Sequence, residues 1–370
     1  MRKITIIGGG NGGQAMAGYF GMHEDYQVRI FDYFEETINM LKEKGEIELT
    51  GAVKGRGKLS MATTNLKEAM DGTEFIMVVT PALYHKKIAA DIAPYVKKDT
   101  IIMLSPSSVF GAFAFKKALE DAGNREEVVI GETNSLLFAA RLVENGRVNI
   151  GGKKDVLMAA AFPADKTDEM YEFIKPVMKE TKCFDNVLAT SFDNTNAMVH
   201  PLPTMLNCNW SESGAKYKYY QDGIGPTCGR IVEQIDKERV DIGKKLGLIP
   251  GKDLFDIYME YEDQYKATGP DVSSMLKTVK AYDSIYASNE VKTRYIMEDI
   301  PTGMVPFVAV GKLLNMPVKK MQMVIDLCEG MLDEDLTECE SARTLERLGL
   351  DGMNAEDIVY YAKTGKKRLY

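Results

Sequence analysis

One histidine of this sequence lies where it could carry acid–base chemistry. His200 belongs to the run Asn194–Pro201, in which polar asparagines interrupt an apolar segment and Pro201 ends or kinks a helix. A histidine side chain suits proton transfer because its ordinary pKa is close to neutrality. The polar neighbours, Asn194 among them, indicate a lined cleft. The alternative is a core histidine with no part in chemistry, so a partner residue is needed to decide.

A carboxylate and a guanidinium that could work with this histidine lie much further along the chain. Asp299 precedes an apolar Ile-Pro step, and Arg294 comes shortly before it. An aspartate hydrogen-bonded to a histidine fixes its tautomer and stabilises the imidazolium. An arginine can hold a substrate carboxylate through two parallel hydrogen bonds. By spacing alone, the alternative is that Asp299 is a turn acid and Arg294 a surface cation.

The beginning of the chain carries a pattern that could bind a dinucleotide. An apolar strand, residues 4–7, leads into a glycine cluster in which Gly8, Gly10 and Gly13 have the spacing G-x-G-x-x-G. The first glycine permits a tight turn, the second lets the backbone approach a pyrophosphate, and the third lets a helix pack closely against the strand. The free N–H groups of that helix would face the phosphates. The predicted cofactor contacts here are Gly8, Gly10, Asn11, Gly12 and Gly13.

An acidic residue follows where a ribose-binding carboxylate is expected. Asp32 closes the second predicted strand, residues 27–32, close to the separation of about 20 residues from the last glycine that is typical of such sites. A carboxylate there accepts hydrogen bonds from ribose hydroxyls and repels a 2′-phosphate. Residues 33–36 supply no arginine that could hold one. The sequence therefore favours NAD over NADP, the alternative being a nucleotide-free turn with a helix-capping aspartate.

Two further residues are predicted at the same edge of the sheet. Thr80 and Pro81 follow the apolar strand 75–79. In a parallel sheet this turn falls at the carboxyl end of a strand, where the second ribose and the nicotinamide would lie. Thr80 and Pro81 are therefore predicted cofactor contacts, although they could equally form a plain strand-to-helix turn.

The distribution of apolar segments predicts two domains, as the length of 370 residues also does. Short runs rich in branched residues alternate with helix-length segments, as in a parallel sheet. We expect the later runs, 148–150 and 156–159, to extend that sheet. After about residue 186, helical periodicity takes over. The prediction is an α/β N-terminal Rossmann domain with a mostly parallel sheet, residues 1–186, followed by an all-α C-terminal domain, residues 187–370.

Composition argues against several classes of protein. The net charge of −8 and the lack of a basic stripe argue against a nucleic-acid partner. No apolar run approaches the ~18 residues that span a bilayer, and the first apolar stretch is too short for an export signal. We therefore expect a cytoplasmic protein without a membrane partner. The five cysteines are scattered and lack a C-x-x-C pair, so neither a metal site nor a disulfide is expected.

Taken together, the motifs resemble those of the opine dehydrogenases, a family that includes the octopine, nopaline and N-(1-carboxyethyl)-amino-acid dehydrogenases. They are the N-terminal Gly-Gly-Gly-Asn-Gly-Gly, the segment Asn194–Pro201, and the Arg-Tyr-x-x-Glu-Asp-x-Pro-x-Gly of residues 294–303. The segment from Glu132 to Arg141 also resembles one that ends in an arginine in that family. The resemblance spans nearly the whole chain.

The resemblance implies a reductive condensation of two small molecules. The amino group of an amino acid and the carbonyl of a 2-oxo acid such as pyruvate form an imine, which NAD(P)H reduces; the reverse is implied as well. By motif match His200 is the acid/base, Asp299 its orienting partner and Arg294 a residue of the substrate pocket. Asn194 and Glu132 are further substrate-binding candidates, and aromatic residues of segment 210–220 are candidates to line the pocket. A homodimer stays open.

Two alternative functions stay open at this point. A reductase of 2-oxo or 3-hydroxy acids, of the ketopantoate reductase or glycerol-3-phosphate dehydrogenase type, shares the N-terminal nucleotide domain and a helical second domain. Such enzymes characteristically use a lysine in the site, and no lysine here stands out in a comparable context. The other alternative is a dinucleotide-binding regulator without turnover, against which the presence of both His200 and Asp299 argues.

Overall fold

The computed structural model describes residues 1–248, 251–260 and 267–368. They form two compact units. The first comprises Met1–Ser107, Gly111–Thr190 and Ala362–Gly365. The second comprises the described residues of Ser108–Phe110, Ser191–Tyr361 and Lys366–Tyr370. The domain boundary between residues 186 and 187 stays a prediction.

Twelve strands form two sheets in the first unit. Their bounds are β1 Arg2–Ile7, β2 Tyr26–Phe31, β3 Glu46–Gly51, β4 Gly55–Lys58, β5 Met61–Thr63, β6 Phe75–Val78, β7 Ile101–Leu104, β8 Val129–Thr133, β9 Phe138–Glu144, β10 Arg147–Lys153, β11 Leu157–Phe162 and β12 Thr181–Cys183. The helices among them are α1 Asn11–Gly21, α2 Glu35–Lys44, α3 Leu66–Met70, α4 His85–Ile92, α5 Gly111–Asp121 and α6 Thr167–Ile174.

The larger sheet has eight strands in the order β12-β11-β8-β7-β6-β1-β2-β5. All neighbours are parallel except β8 and β11. Its central strands β6 and β7 are buried along their whole length, because helices cover both faces of such a sheet and leave no side for polar residues. This confirms the predicted N-terminal domain with a mostly parallel sheet.

The smaller sheet, in the order β4-β3-β10-β9, was not predicted. The expectation that residues 148–150 extend the main sheet was wrong, since they lie in β10 and pair with β3 and β9. The physical reason is visible in their pattern: Val148 and Ile150 are buried while Arg147 and Asn149 are exposed, as in a sheet with one covered face. The predicted strand 156–159 does join the main sheet, in β11.

The chain beyond β12 is helical in its described part, where the one strand-like pairing is an isolated bridge between Lys218 and Tyr286. The helix bounds are α7 Val187–Asp193, α8 Asn196–Val199, α9 Pro201–Leu206, α10 Cys208–Glu212, α11 Pro226–Lys245, α12 Leu254–Glu260, α13 Val272–Thr278, α14 Arg294–Met297, α15 Val305–Leu313, α16 Lys319–Leu332, α17 Leu345–Leu348 and α18 Ala355–Thr364. A π-helical turn, Ile300–Met304, leads into α15. The predicted all-α second half is confirmed.

Two features are absent from the residues that the structure describes. No helix in these ranges is both long and apolar enough to cross a membrane. Nor do the same residues contain a group of three or more histidine, cysteine or acidic side chains that could hold a metal ion.

Candidate active site

The turn after β1 requires glycine at two positions. Gly8 has φ +113°, and its N–H donates to the carbonyl of Phe31 at 2.9 Å. A Cβ on Gly8 would lie 2.6 Å from the carbonyl oxygen of Val79, and one on Gly13 would lie 1.7 Å from that of Gly8. Any side chain is therefore excluded at both. Nothing lies within 4 Å of where a Cβ on Gly10 would be, so the turn is open on that side.

Helix α1 begins directly behind this turn. Its first intrahelical hydrogen bond runs from the N–H of Gln14 to the carbonyl of Gly10, at 3.0 Å. The N–H groups of Asn11, Gly12 and Gly13 precede that bond and are available to an anion, which the helix dipole also favours. With the open side at Gly10, the turn has the room and the donors that a pyrophosphate needs.

The same turn is tied to the β9–β10 hairpin by two side chains of α1. The side-chain oxygen of Asn11 accepts from the N–H of Leu142 at 2.7 Å. The amide of Gln14 donates to Oδ1 of Asn145 at 2.8 Å and accepts from the N–H of Gly146 at 2.7 Å. Gln14 has no exposed surface. A glutamine among the apolar residues of α1 was the signal that sequence reasoning missed.

Asp32 directly follows β2, and its carboxylate is held against the glycine turn. One oxygen accepts from the N–H of Gly9 and the other from the N–H of Phe34, at 3.0 Å. The nearby cation Lys87, 4.6 Å from the centre of the Tyr33 ring, is paired with Asp91 at 2.6 Å. The carboxylate of Asp32 is thus oriented beside the predicted phosphate position, where it fits a ribose with free hydroxyls.

Asp32→Ala is expected to weaken NADH binding by about tenfold or more and to reduce discrimination against NADPH. A hydrogen bond to a charged group contributes about 1.5–3 kcal/mol, and the variant also removes the repulsion of a 2′-phosphate. Fluorescence titration with each nucleotide measures both effects. Glu43→Ala, which removes an exposed acid of α2, is the charge-matched control. An unchanged preference would mean that Asp32 does not touch the ribose.

Thr80 and Pro81 lie after β6, beside the glycine turn. The methyl carbon of Thr80 would be 2.9 Å from a Cβ on Gly8. Its hydroxyl oxygen is buried and has no hydrogen-bond partner within the described residues. Because a buried hydroxyl without a partner is costly, this oxygen is suited to a hydrogen bond from or to a ligand.

The second unit brings His200 and Asp299 together. Nδ1 of His200 lies 2.7 Å from Oδ2 of Asp299, and the two residues are only 7 % and 8 % exposed. His200 stands between α8 and α9, where Pro201 begins the new helix. Gly303 in the π-helical turn permits the close approach, since a Cβ there would lie 2.8 Å from that of Ala197 in α8. The geometry is that of a histidine whose Nδ1–H is held by an aspartate.

Aromatic residues surround this histidine. The ring of Tyr295 stacks on the imidazole with centroids 4.0 Å apart and an angle of 16°. The Tyr219 hydroxyl donates to the carbonyl of His200 at 2.6 Å, and the Tyr220 hydroxyl lies 2.9 Å from Nε2. Burial raises the pKa of Tyr219 and of Tyr220 well above 10, so both keep their protons. From the sequence, Tyr219 and Tyr220 were only candidates to line the pocket, and the contacts of all three tyrosines with His200 were missed.

Burial also changes the pKa of the Asp299 carboxyl group. It raises the pKa of Asp299 above 3.8, while the hydrogen bond and charge of His200 act in the opposite direction. In its ionised form Asp299 holds its negative charge in a poorly solvated place, where charge interactions are stronger than in water. The pair is therefore arranged to stabilise an imidazolium at His200.

The predicted substrate residues have different surroundings. Arg294 begins α14, and its Nε–H donates to Glu298, whereas 66 % of the Arg294 side chain is exposed. Asn194 is buried, and its side-chain oxygen accepts from the N–H of Asn196 at 3.2 Å. Both belong to the same unit as His200.

Glu132 belongs to the first unit, in β8, and has no exposed surface. Its carboxylate accepts from the N–H of Ala112 at 2.9 Å, at the start of α5, and from the hydroxyl of Thr190. These bonds satisfy a free N–H group of the helix start. Arg141, at the end of the same motif, is exposed on β9.

The first unit carries a dinucleotide-type turn on a mostly parallel sheet, and the helical unit holds a buried acid–base pair. Together these features define an NAD-dependent oxidoreductase. Comparison with known proteins identifies the family within this class. Residues 183–332 match the family model of the NAD/NADP octopine/nopaline dehydrogenase alpha-helical domain, and residues 3–111 match that of the NAD-dependent glycerol-3-phosphate dehydrogenase N-terminus.

Two relatives and one solved structure resemble the chain over nearly its whole length. It is 34% identical to an opine dehydrogenase of Arthrobacter sp. (strain 1C), over 96% of this chain and 98% of the other. Identity to octopine dehydrogenase of Mizuhopecten yessoensis is 26%, over 99% of both. The fold is similar to that of octopine dehydrogenase solved with NADH and L-arginine, with a TM-score of 0.82, 21% identity and complete coverage of both chains. The chain belongs to the opine dehydrogenase family.

Proposed function

We propose that this protein catalyses the NAD(H)-dependent condensation of the amino group of an amino acid with a 2-oxo acid, such as pyruvate, to an N-(carboxyalkyl) amino acid, and the reverse. Membership of the opine dehydrogenase family supports this reaction. The structural observation that supports it most is the buried contact between Nδ1 of His200 and Asp299, which holds the imidazole in position to act as an acid.

In this proposal the first unit holds the cofactor. The backbone of the turn from Gly8 to Gly13 would hold the pyrophosphate, Asp32 would bind the adenine ribose, and Thr80 and Pro81 would contact the second ribose. When bound, NADH supplies a hydride for the imine carbon. The side-chain oxygen of Asn11 already accepts from the hairpin, which leaves the backbone N–H and the side-chain NH₂ of Asn11 as donors for the cofactor.

His200 performs the proton transfers. As an imidazolium it polarises the 2-oxo carbonyl and supplies the proton that the oxygen needs as the amine adds and water leaves. Asp299 keeps Nδ1 protonated and stabilises the charged ring. Tyr295 supports the same form, because a cation is attracted to the face of an aromatic ring.

The substrates and the product carry carboxylates, which call for cations and amide donors. Arg294 fits this role. Its pairing with Glu298 uses Nε–H, and most of its side chain is exposed and so accessible to a substrate carboxylate. We propose that Asn194 contributes an amide near His200. Glu132 acts by positioning in this proposal, because its carboxylate already holds Ala112 and Thr190. Residues 1–186 would be the nucleotide domain and 187–370 the substrate and catalytic domain; the cytoplasmic location and a homodimer stay predictions.

The test is NADH oxidation with pyruvate in the presence and absence of a panel of amino acids. We expect oxidation that requires an amino acid, with a product whose mass is that of the N-(1-carboxyethyl) derivative. The same assay without enzyme gives the background. Oxidation that is equally fast without an amine would contradict the proposal and favour a 2-oxo acid reductase. Binding of NADH without turnover over the whole panel would favour a regulator.

A further inference from the structure

Both ring nitrogens of His200 are engaged inside the second unit. Nδ1 faces Asp299 at 2.7 Å, and Nε2 lies 2.9 Å from the hydroxyl oxygen of Tyr220. Since Asp299 accepts from Nδ1–H, Nε2 is the atom through which the imidazole exchanges protons with a substrate. The group directly in contact with that atom is the Tyr220 hydroxyl.

The ring of Tyr220 is held in place on two sides. It stacks on Tyr282 with centroids 4.0 Å apart and an angle of 17°, and meets the edge of Tyr219 at 5.1 Å. Tyr220 is only 4 % exposed. Stacked and edge-on contacts of this kind stabilise one ring orientation. The hydroxyl is therefore a fixed neighbour of Nε2, and withdrawing it would disrupt the packing of three rings.

A tyrosine hydroxyl can donate and accept at the same time. When His200 is neutral, the Tyr220 O–H donates to the lone pair of Nε2. When His200 is protonated, Nε2–H donates to the tyrosine oxygen, which frees the tyrosine proton for another acceptor.

We propose that Tyr220 is a catalytic residue that relays the proton between Nε2 of His200 and the substrate oxygen. The inference rests on the proposed function. In the condensation, the Tyr220 O–H gives its proton to the hydroxyl of the carbinolamine while Nε2–H of the imidazolium replaces it. The C–O bond breaks, water leaves, and the nitrogen lone pair forms the C=N bond. His200 ends neutral and Tyr220 ends as it began.

The environment of Tyr220 suits a relay in which one proton arrives as the other departs. Burial and the neighbouring Tyr295 raise its pKa well above 10, so a free tyrosinate is disfavoured. A transfer of both protons in one step avoids that species. The reverse reaction uses the same path with His200 as the base.

Tyr220→Phe tests the relay, because it keeps the ring and its stacking and removes only the oxygen. We expect kcat to fall on the order of 10²-fold or more, the contribution of a positioned proton donor, with the affinity for NADH unchanged. The matched control is Tyr258→Phe, which removes a hydroxyl 3.5 Å from that of Tyr282, in the same aromatic cluster. It should keep the activity of the wild type.

A kcat within tenfold of the wild type, or above it, would overturn the relay and leave Tyr220 as a cap over Nε2. A proton inventory of single turnovers by the wild type, in mixtures of H₂O and D₂O, covers the case of a variant that does not fold. Two protons in flight predict a curved inventory, and a linear one would contradict the proposal. If the wild type shows no amine-dependent oxidation, the proposed function itself fails; an active wild type with an unaffected variant removes only the relay.

Discussion

His200→Ala is expected to lower kcat by about 10²- to 10⁴-fold while NADH still binds. A positioned general acid contributes about that factor to the rate. The variant removes the imidazole ring that contacts Asp299. The turn that is proposed to hold the dinucleotide lies in the other unit, so the affinity for NADH should persist. Steady-state rates with saturating pyruvate and amino acid, together with an NADH titration, measure the two quantities separately.

The control for this variant is His23→Ala, which removes a partly exposed histidine of the first unit and should leave the rate unchanged. Thermal unfolding of both variants shows whether the loss of a buried ring, rather than of an acid, explains the result. A decrease of less than tenfold in a folded His200→Ala protein would make His200 a structural residue.

Asp299→Asn is expected to lower kcat by about 10³- to 10⁴-fold, although its size is nearly unchanged. An asparagine amide can present a donor to Nδ1 and so favour the wrong tautomer of His200, and it cannot stabilise the imidazolium by charge; the loss of an orienting aspartate has an effect of this order in catalytic triads. Rates measured with substrate concentrations well above KM give the comparison. Asp326→Asn, an exposed acid of α16, is the matched control.

The pH dependence gives this variant a second readout. Asp299 supports catalysis when ionised, so the activity it provides is present above its pKa and is lost as the pH falls through that value. Burial raises this pKa above 3.8, and the decline should therefore lie at a higher pH than an ordinary aspartate would give. A wild-type profile without this decline, or an Asn variant that retains both the decline and the rate, would contradict the role of Asp299.

The main sheet and the glycine turn could be predicted because local sequence determines them. β6 and β7 are short continuous apolar runs, which only a strand buried on both faces explains at that length. Gly8 and Gly13 have no room for a side chain, so their spacing is a physical requirement and not a preference. The link between Arg294 and Glu298 also follows from sequence, since residues four apart share a helix face.

The smaller sheet and the surroundings of His200 could not be predicted in this way. Residues 46–58 mix charges and glycines, and their two buried apolar side chains, Ile47 and Leu49, become informative only once α1 packs on them. The contact of Tyr220 with Nε2 joins two segments that no periodicity connects. It depends on the packing of Tyr219, Tyr220 and Tyr282 against one another, which is a property of the folded unit.

The buried amide of Gln14 has a consequence for protein engineering. Gln14 and Asn11 are hydrogen-bonded to residues 142–146 of the hairpin. The nucleotide turn and the hairpin are therefore joined in the folded protein although they are distant in sequence. A graft that exchanges the first strand, turn and helix for those of another dehydrogenase would leave the hairpin without its anchors. Exchanging the whole strand, turn and helix between relatives therefore calls for transplanting residues 138–153 of the hairpin together with them.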